Sequence, residues 1–276
     1  MILKFTKMHG AGNDFVLIDA RNRRFSLDPA RAARIADRHR GIGCDQILVL
    51  RAGDRDERPV RYEIWNADGS PAAQCGNGAR CVALYLERNG AALQQPLQVE
   101  SPAGPVVLAP CADGEYEVTM GVPEFEAGRI PLRLPRDGQH YRLDSPWGPL
   151  KLGAASMGNP HALLLVDDIG SDTIPDIGRY VGGHEAFPEG CNVGFAQLEG
   201  PSRIRLRVVE RGAGETLACG SGACAAMAIL RRWGRVDDRL EVALPGGRLV
   251  IKWRGGDEPL IMKGPATYVF RGTMDE

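Results

Sequence analysis

The sequence lacks most of what would tie it to a membrane, a nucleic acid or a metal. No apolar run approaches the roughly 18–20 residues needed to span a bilayer. The opening stretch Met1-Ile2-Leu3-Lys4-Phe5-Thr6-Lys7 has neither the apolar core nor the cleavage site of a secretion signal. A net charge of −1 over 276 residues argues against binding by counterion release, so no nucleic-acid partner is expected. Neither a Cys-x-x-Cys nor a His-x3–5-His pair occurs. The nearest cysteine spacings, Cys75 to Cys81 and Cys219 to Cys224, suit neither zinc nor a redox dithiol, so no metal is expected. The seven cysteines are odd in number, in a chain too long to need disulfide stapling. That points to a reducing compartment, the cytoplasm, and to thiols kept for chemistry or packing.

What is present is a globular composition, 43% hydrophobic and 25% charged, in a chain of one large or two ordinary domains. The one basic cluster, Arg21 to Arg40, carries Asp28-Pro29 as a cap and first-turn pair, and Gly41 closes it. It reads as a helix with a solvated face.

A short motif occurs twice. Cys75-Gly76-Asn77-Gly78-Ala79 opens the apolar run Val82 to Leu86, and Cys219-Gly220-Ser221-Gly222-Ala223 opens Ala225 to Leu230. Each run ends on basic residues and a glycine, Gly90 or Gly234, a helix stop with the glycine left-handed. At the starts, glycines let backbone N–H groups of a helix N-terminus approach a ligand closely, and that end attracts anions. The surroundings repeat as well. Asn13 and Asn159, Cys44 and Cys191, and Cys75 and Cys219 stand at offsets of 146, 147 and 144 (159 − 13, 191 − 44, 219 − 75). Two homologous halves are implied. Strand candidates in the first half are Phe15–Ile18, Gln46–Leu50, Val60–Trp65, Leu97–Glu100, Val106–Ala109 and Tyr116–Thr119. In the second they are Ala162–Val166, Gly194–Gln197, Ile204–Val209, Arg239–Leu244, Leu249–Trp253 and Tyr268–Phe270. Two helices per half among these strands indicate α+β, with the change of domain in the Pro- and Gly-rich stretch Gly121–Pro149.

Cys75 and Cys219 stand at equivalent positions, each before a glycine at a helix start, whereas Cys44, Cys81, Cys111, Cys191 and Cys224 lack that setting and read as packing. Inverting a stereocentre needs a proton removed from one face and returned to the other, which two opposed groups do better than one. One thiolate and one thiol fit that need. The cysteine pKa is poised for either form, and a helix N-terminus lowers it. The same N-termini can hold a carboxylate and stabilise charge beside it. Asn13, Gln46, Asn66, Asn159 and Asn192 cluster at strand and loop ends around the repeats. Glu210-Arg211 offers one charge of each sign to a zwitterion, and His161 is placed to tune a thiol.

Three stretches, Met8-His9-Gly10-Ala11-Gly12-Asn13-Asp14-Phe15, Asn66-Ala67-Asp68-Gly69-Ser70 through Cys75-Gly76-Asn77-Gly78, and Glu210-Arg211-Gly212 through Cys219-Gly220-Ser221-Gly222, closely resemble the diaminopimelate epimerase family. The resemblance runs from Thr6 to about Trp233, with Met262-Lys263-Gly264-Pro265-Ala266 added, and is weakest across Leu93–Pro149 and Arg235–Glu258. It implies a PLP-independent, cofactor-free epimerase interconverting L,L- and meso-diaminopimelate on the route to lysine and peptidoglycan precursors. Cys75 and Cys219 would be the acid/base pair. Gly76-Asn77 and Gly220-Ser221 would hold the reacting-end carboxylate through backbone N–H groups. Asn13, Gln46, Asn66, Asn159, Asn192, Glu210 and Arg211 would line the substrate, and His161 and Glu210 would modulate the thiols. The implied fold is two α+β domains related by a pseudo-two-fold, each a barrel-like, mostly antiparallel sheet around a central helix: 1–119 with the strand 265–276 returning to it, and 120–264. A homodimer is implied too. Two other readings stay open: a proline or hydroxyproline racemase, which has no second substrate end for Asn66, Asn159, Asn192 and Arg211 to satisfy, and a thiol redox protein.

Overall fold

The computed structural model describes residues 2–90 and 95–275. The outermost residues of the expected domains, 1 and 276, and Leu93 at the edge of the weakest stretch of resemblance lie outside them. In chain order the elements are β1 (Ile2–Gly10), β2 (Asn13–Asp19), α1 (Pro29–Ala36), β3 (Gln46–Arg55), β4 (Arg58–Asn66), α2 (Gly76–Arg88), β5 (Leu97–Ser101), β6 (Gly104–Pro110) and β7 (Tyr116–Gly121). There follow β8 (Arg136–Asp137), β9 (His140–Leu143), β10 (Leu150–Ser156), β11 (Pro160–Leu165), α3 (Ile174–Gly182), β12 (Asn192–Gly200), β13 (Arg203–Glu210), β14 (Gly214–Thr216) and α4 (Gly220–Arg232). The last elements are β15 (Arg239–Leu244), β16 (Gly247–Lys252), β17 (Leu260–Gly264) and β18 (Thr267–Asp275). The chain divides into two compact units, Met1–Thr119 with Lys263–Glu276, and Met120–Met262. The stretch 121–149 belongs to the second and carries β8 and β9.

In the first unit β1 pairs antiparallel with β2, β2 parallel with β3, β3 antiparallel with β4, β4 parallel with β5, and β5 antiparallel with β6. In the second, β10 to β11, β11 to β12, β12 to β13, β13 to β15 and β15 to β16 repeat that alternation of antiparallel and parallel. The parallel steps need crossovers, which α1 and α2 supply in the first unit and α3 and α4 in the second. The duplication read from the motifs is thus a duplication of strand order. β18, far downstream, closes the first unit by pairing antiparallel with β1. β1 is a strand that the sequence reading did not name.

α2 and α4 are the central helices. Eleven consecutive residues of α2, Gly76 to Leu86, are buried, and so is nearly all of α4. A helix apolar on every side needs cover on every side, and the curled mixed sheets provide it. Their ends follow the expected stop, with Gly90 at φ +95° and Gly234 at φ +66°. α1 and α3 lie outside the sheets. α1 buries Ala32, Ile35 and Ala36 in a cluster with Leu3, Val16, Ile18, Ile47 and Val49. Asp28 caps it as expected, accepting from the Arg31 amide at 2.9 Å. The helix ends at Ala36, however, not at Gly41. The Asp37 carboxylate captures the amides of His39 and Arg40 at 2.7 and 2.9 Å, a local turn that competes with helix. The cluster is also not simply solvated, because Arg38 reaches back to Asp14 and Asp45, each at 2.8 Å.

Close packing of α4 on β10 rests on Gly153. A Cβ built there would lie 2.4 Å from Ile229 Cγ2 and 2.6 Å from the Trp233 ring. Gly153→Ala is expected to cost about 1–3 kcal/mol through overpacking, read as a lower urea midpoint with the slope unchanged. A midpoint at the native value would mean that α4 shifts freely on the sheet.

Candidate active site

The residues singled out in the sequence fall into two sets, one in each unit, built on equivalent positions. In the first unit the β1–β2 hairpin turns through Ala11 (φ +53°) and Gly12 (φ +86°), both left-handed as a two-residue primed turn requires. This sets Asn13 at the start of β2. Asn13 Nδ2 donates to Asp45 Oδ2 at 3.0 Å, which leaves Oδ1 to accept from the Cys75 thiol at 3.7 Å and from Asn77 Nδ2 at 3.3 Å. Behind it, Asp14 accepts from Lys7 and from Arg38 Nη2, the latter at 2.8 Å. Burial alone would raise the Asp14 pKa, but these cations outweigh it and hold the carboxyl well below the usual carboxylate range. Gln46 and Asn66 are cross-strand partners, and Gln46 Nε2 donates to Asn66 Oδ1 at 2.9 Å.

Cys75 caps α2 with extended backbone, and its sulfur accepts from the Gly78 amide at 3.4 Å. The amides of Gly76 and Asn77 lie among the first N–H groups of the helix, which have no partner within it. Asn77 is 2% exposed, and Arg80 Nη2 donates to its Oδ1 at 2.7 Å. Arg80 is fully buried and also donates to the Pro265 carbonyl at 3.1 Å. It ties the first turn of α2 to the segment before β18. The sequence signal for Arg80 was a charge one turn into an apolar helix, and it went unread.

The second unit repeats the scaffold with different chemistry. Asn159 precedes His161 by the same two residues that separate Asn13 from Phe15 (161 − 159 and 15 − 13). His161 pairs with Asn192 across parallel strands as Phe15 pairs with Gln46. Glu210 lies nine residues before Cys219, as Asn66 lies nine before Cys75 (219 − 210 and 75 − 66). So Phe15, Gln46 and Asn66 correspond to His161, Asn192 and Glu210. Only the second unit has an imidazole and a carboxylate at these places.

Cys219 caps α4 and is 5% exposed, and its thiol donates to Glu210 Oε2 at 3.1 Å. Ser221 Oγ lies 3.6 Å from the same sulfur. Burial, then the Glu210 charge, push the thiol pKa well above its ordinary value, so Cys219 stays protonated near neutral pH. Glu210 is itself held on its other oxygen by the Thr216 hydroxyl. The antiparallel β13–β14 register sets Val208 against Thr216. Thr216 was missed because Gly214-Glu215-Thr216 reads as loop, and only the pairing aims its hydroxyl. Arg211 donates its amide to Asn192 Oδ1 at 3.0 Å and its Nη1 to the Glu189 carbonyl at 2.6 Å.

His161 is 2% exposed, and its Nε2 lies 3.0 Å from Asn159 Oδ1. Burial, helped by Arg211, lowers its pKa to about 3, so it is neutral in the folded protein. Below the unfolded pKa of about 6.5 the unfolded chain binds the extra proton, and stability is lost as pH falls from there toward about 3. His161→Asn is expected to flatten the fall of the urea midpoint between pH 6.5 and 4.5. An unchanged slope would mean that the imidazole titrates freely when folded.

Of the remaining cysteines, Cys44, Cys81, Cys191 and Cys224 are buried as packing, and Cys111 is half-buried. Burial pushes Cys44 and Cys191 up to about 12, and no disulfide joins any cysteine among the described residues. No group of three His, Cys, Asp or Glu there could hold a metal, and no helix is long and apolar enough to cross a membrane.

Known proteins resemble the chain closely. A family model described as diaminopimelate epimerase matches residues 5–126 and 153–269. The diaminopimelate epimerase of Xanthomonas axonopodis pv. citri (strain 306) is 49% identical over 271 residues, covering 98% of this chain and 95% of that one. That of Thioalkalivibrio sulfidiphilus (strain HL-EbGR7) is 45% identical over 277 residues, with both chains fully covered. Among solved structures, a hydroxyproline epimerase from Agrobacterium vitis with bound trans-4-OH-L-proline superposes with a TM-score of 0.74 at 16% identity, covering 99% of this chain and 92% of that one. A PhzF-family phenazine biosynthesis protein from Bacillus anthracis gives 0.68 at 14% identity, with both chains fully covered. At such identities the structures share the two-domain α+β fold.

Proposed function

Since this chain belongs to the diaminopimelate epimerase family, we propose that it interconverts L,L- and meso-diaminopimelate by moving the α-proton between Cys75 and Cys219. The observation that carries the reading is that each half of a duplicated scaffold caps its buried central helix with a cysteine. In one direction the Cys219 proton passes to Glu210 Oε2, and the resulting thiolate removes the α-hydrogen. The Cys75 thiol then delivers its proton to the opposite face. The enzyme is left with a Cys219 thiol, a protonated Glu210 and a Cys75 thiolate, the form that runs the reverse reaction. Loss of the Glu210 proton to water and uptake of one by Cys75 restore the starting form. The N–H groups of Gly76, Asn77, Gly220 and Ser221 hold the reacting-end carboxylate, where charge builds as the α-proton leaves. Asn13, Gln46, Asn66, Asn159, Asn192 and Arg211 read the rest of the substrate, and His161, neutral and buried, orients Asn159. This is isomerase chemistry that needs no PLP.

The same reading assigns 1–119 with 265–276 to one epimerase domain and 120–264 to the other, which the repeated strand order supports. It also makes the protein a cytoplasmic homodimer, which the family resemblance supports and sedimentation at two concentrations tests. The central test is exchange of the reduced protein in D₂O with L,L-diaminopimelate and no added cofactor, followed by NMR. Deuterium at the α-carbon of the meso product is expected. Exchange with proline but not with diaminopimelate would overturn the substrate, and exchange with neither would overturn the chemistry.

A further inference from the structure

At the far end of α4 from Cys219 lies a cavity of about 960 Å³ that the epimerase chemistry does not use. It sits wholly within the second unit and is walled by Arg129, Arg231, Arg232 and Arg254, with Phe125 and Trp253 as its aromatic side. Arg232 is twelve residues beyond Gly220, about 18 Å along the helix, so the cavity is separate from the cradle at the N-terminus of α4.

Four guanidiniums around one concavity are conspicuous in a chain whose net charge is −1. Two acids also line it, and they do not balance the arginines. Glu124 is held by Arg129 at 2.9 Å and by the amides of Phe125 and Glu126, each at 2.8 Å. Asp257 is exposed and, among the described residues, forms no ion pair with Arg231, Arg232 or Arg254. Arg231 spends one N–H on the Val236 carbonyl at 3.2 Å. Arg232 lies over the Phe125 ring, its Cζ 4.6 Å from the centroid, a cation–π contact that consumes no N–H donor. The carboxyl end of α4 favours nearby cations, which accounts for Arg231 and Arg232 being there. It does not account for Arg254, which a separate turn brings in. That turn passes through Gly255 at φ +108° and Gly256 at φ +62°, and is pinned by Trp253 Nε1 donating to the Glu258 carbonyl at 2.9 Å. Burial, then the nearby Arg136, hold the Arg232 pKa below its ordinary value. With four arginines against two acids, one of them already paired with Arg129, the site keeps an excess of positive charge on Arg231, Arg232 and Arg254.

We propose that this cavity binds a small multivalent anion, a phosphate ester or a polycarboxylate, held by Arg231, Arg232 and Arg254. Guanidiniums grip both groups through paired N–H donors, and the volume lies within the range of small-molecule sites. A monovalent ion would leave most of the donors unused.

The test is isothermal titration of the reduced protein with pyrophosphate, citrate and acetate at constant ionic strength, on the native chain and on Arg232→Gln, Arg254→Gln and the double variant. The expected result is saturable binding of pyrophosphate or citrate, at least tenfold weaker in each single variant and absent in the double. Acetate should give none. Pyrophosphate binding alone would identify the phosphate ester as the ligand class, and citrate binding alone the polycarboxylate. Each variant should keep native α-proton exchange with diaminopimelate, which shows that it is folded and keeps this result independent of the assigned reaction. Binding retained in the double variant, or neither anion binding the native chain, would overturn the proposal.

Discussion

Alanine at Cys75 or at Cys219 is expected to lower epimerisation by about 10³-fold or more, near the upper range for a lost acid/base group. Two sulfurs serve two faces, so neither can stand in for the other. The more telling readout is what survives. A lone thiol can still remove and return a proton on its own side, so each variant should wash deuterium into one epimer without inverting it. The two variants should favour opposite epimers. Cys219 works beside Glu210, which accepts its proton at 3.1 Å, so the Cys75→Ala enzyme keeps a complete base. Circular dichroism and proton NMR, run together on each variant, separate exchange from inversion. A single variant that still inverts at an appreciable rate would end the two-thiol reading.

Glu210→Gln is expected to change two measurements in opposite directions. Burial and the Glu210 charge together keep the Cys219 thiol protonated. Glutamine keeps the shape and removes the charge, so the thiol pKa falls and more thiolate is present at pH 8. Iodoacetamide should then label Cys219 faster than in the native enzyme. Epimerisation should nevertheless fall by about 10²-fold, because the group that takes the thiol proton during turnover is gone. Faster labelling with slower catalysis separates a proton acceptor from a purely structural carboxylate, whose loss would slow catalysis with no gain in labelling. Thr216→Val leaves the charge in place and frees only Oε1, so it should show a smaller loss of rate and no faster labelling.

How far the sequence discloses the molecule depends on the range of each interaction. The cradles, the Asp28 cap and the glycine stops are local, a few residues of pattern each, and they are legible. The duplication is legible because its landmarks keep their spacing. β1 escaped because its alternation slips, with polar Thr6 buried beside Phe5 and a bulge between Lys7 and Met8, and because its second partner lies more than 260 residues downstream, with Phe5 against Gly272. α1 ends early because one aspartate, Asp37, outbids the helix for two amides. The candidate site divides along the same line. The cysteines and their glycines stand out in the chain, whereas the supports of Asn77 and Glu210, namely Arg80 and Thr216, gain meaning only from tertiary contact and strand register.

The pairing of β1 with β18 also fixes when the protein can finish folding. The second unit is one continuous stretch, Met120–Met262, and every residue it needs has been made before β18 exists. The first unit has an open sheet edge along β1 until Thr267–Asp275 arrives, and Arg80 waits for the Pro265 carbonyl. With synthesis at about 5–20 residues per second, β1 waits for tens of seconds with β2 on one side and the edge meant for β18 open, although it is made first. The unit carrying Cys219 and Glu210 therefore needs nothing made after Met262, whereas the one carrying Cys75 cannot close until β18 is made. The half-site around Cys219 can thus form without the last strand, and the half-site around Cys75 cannot.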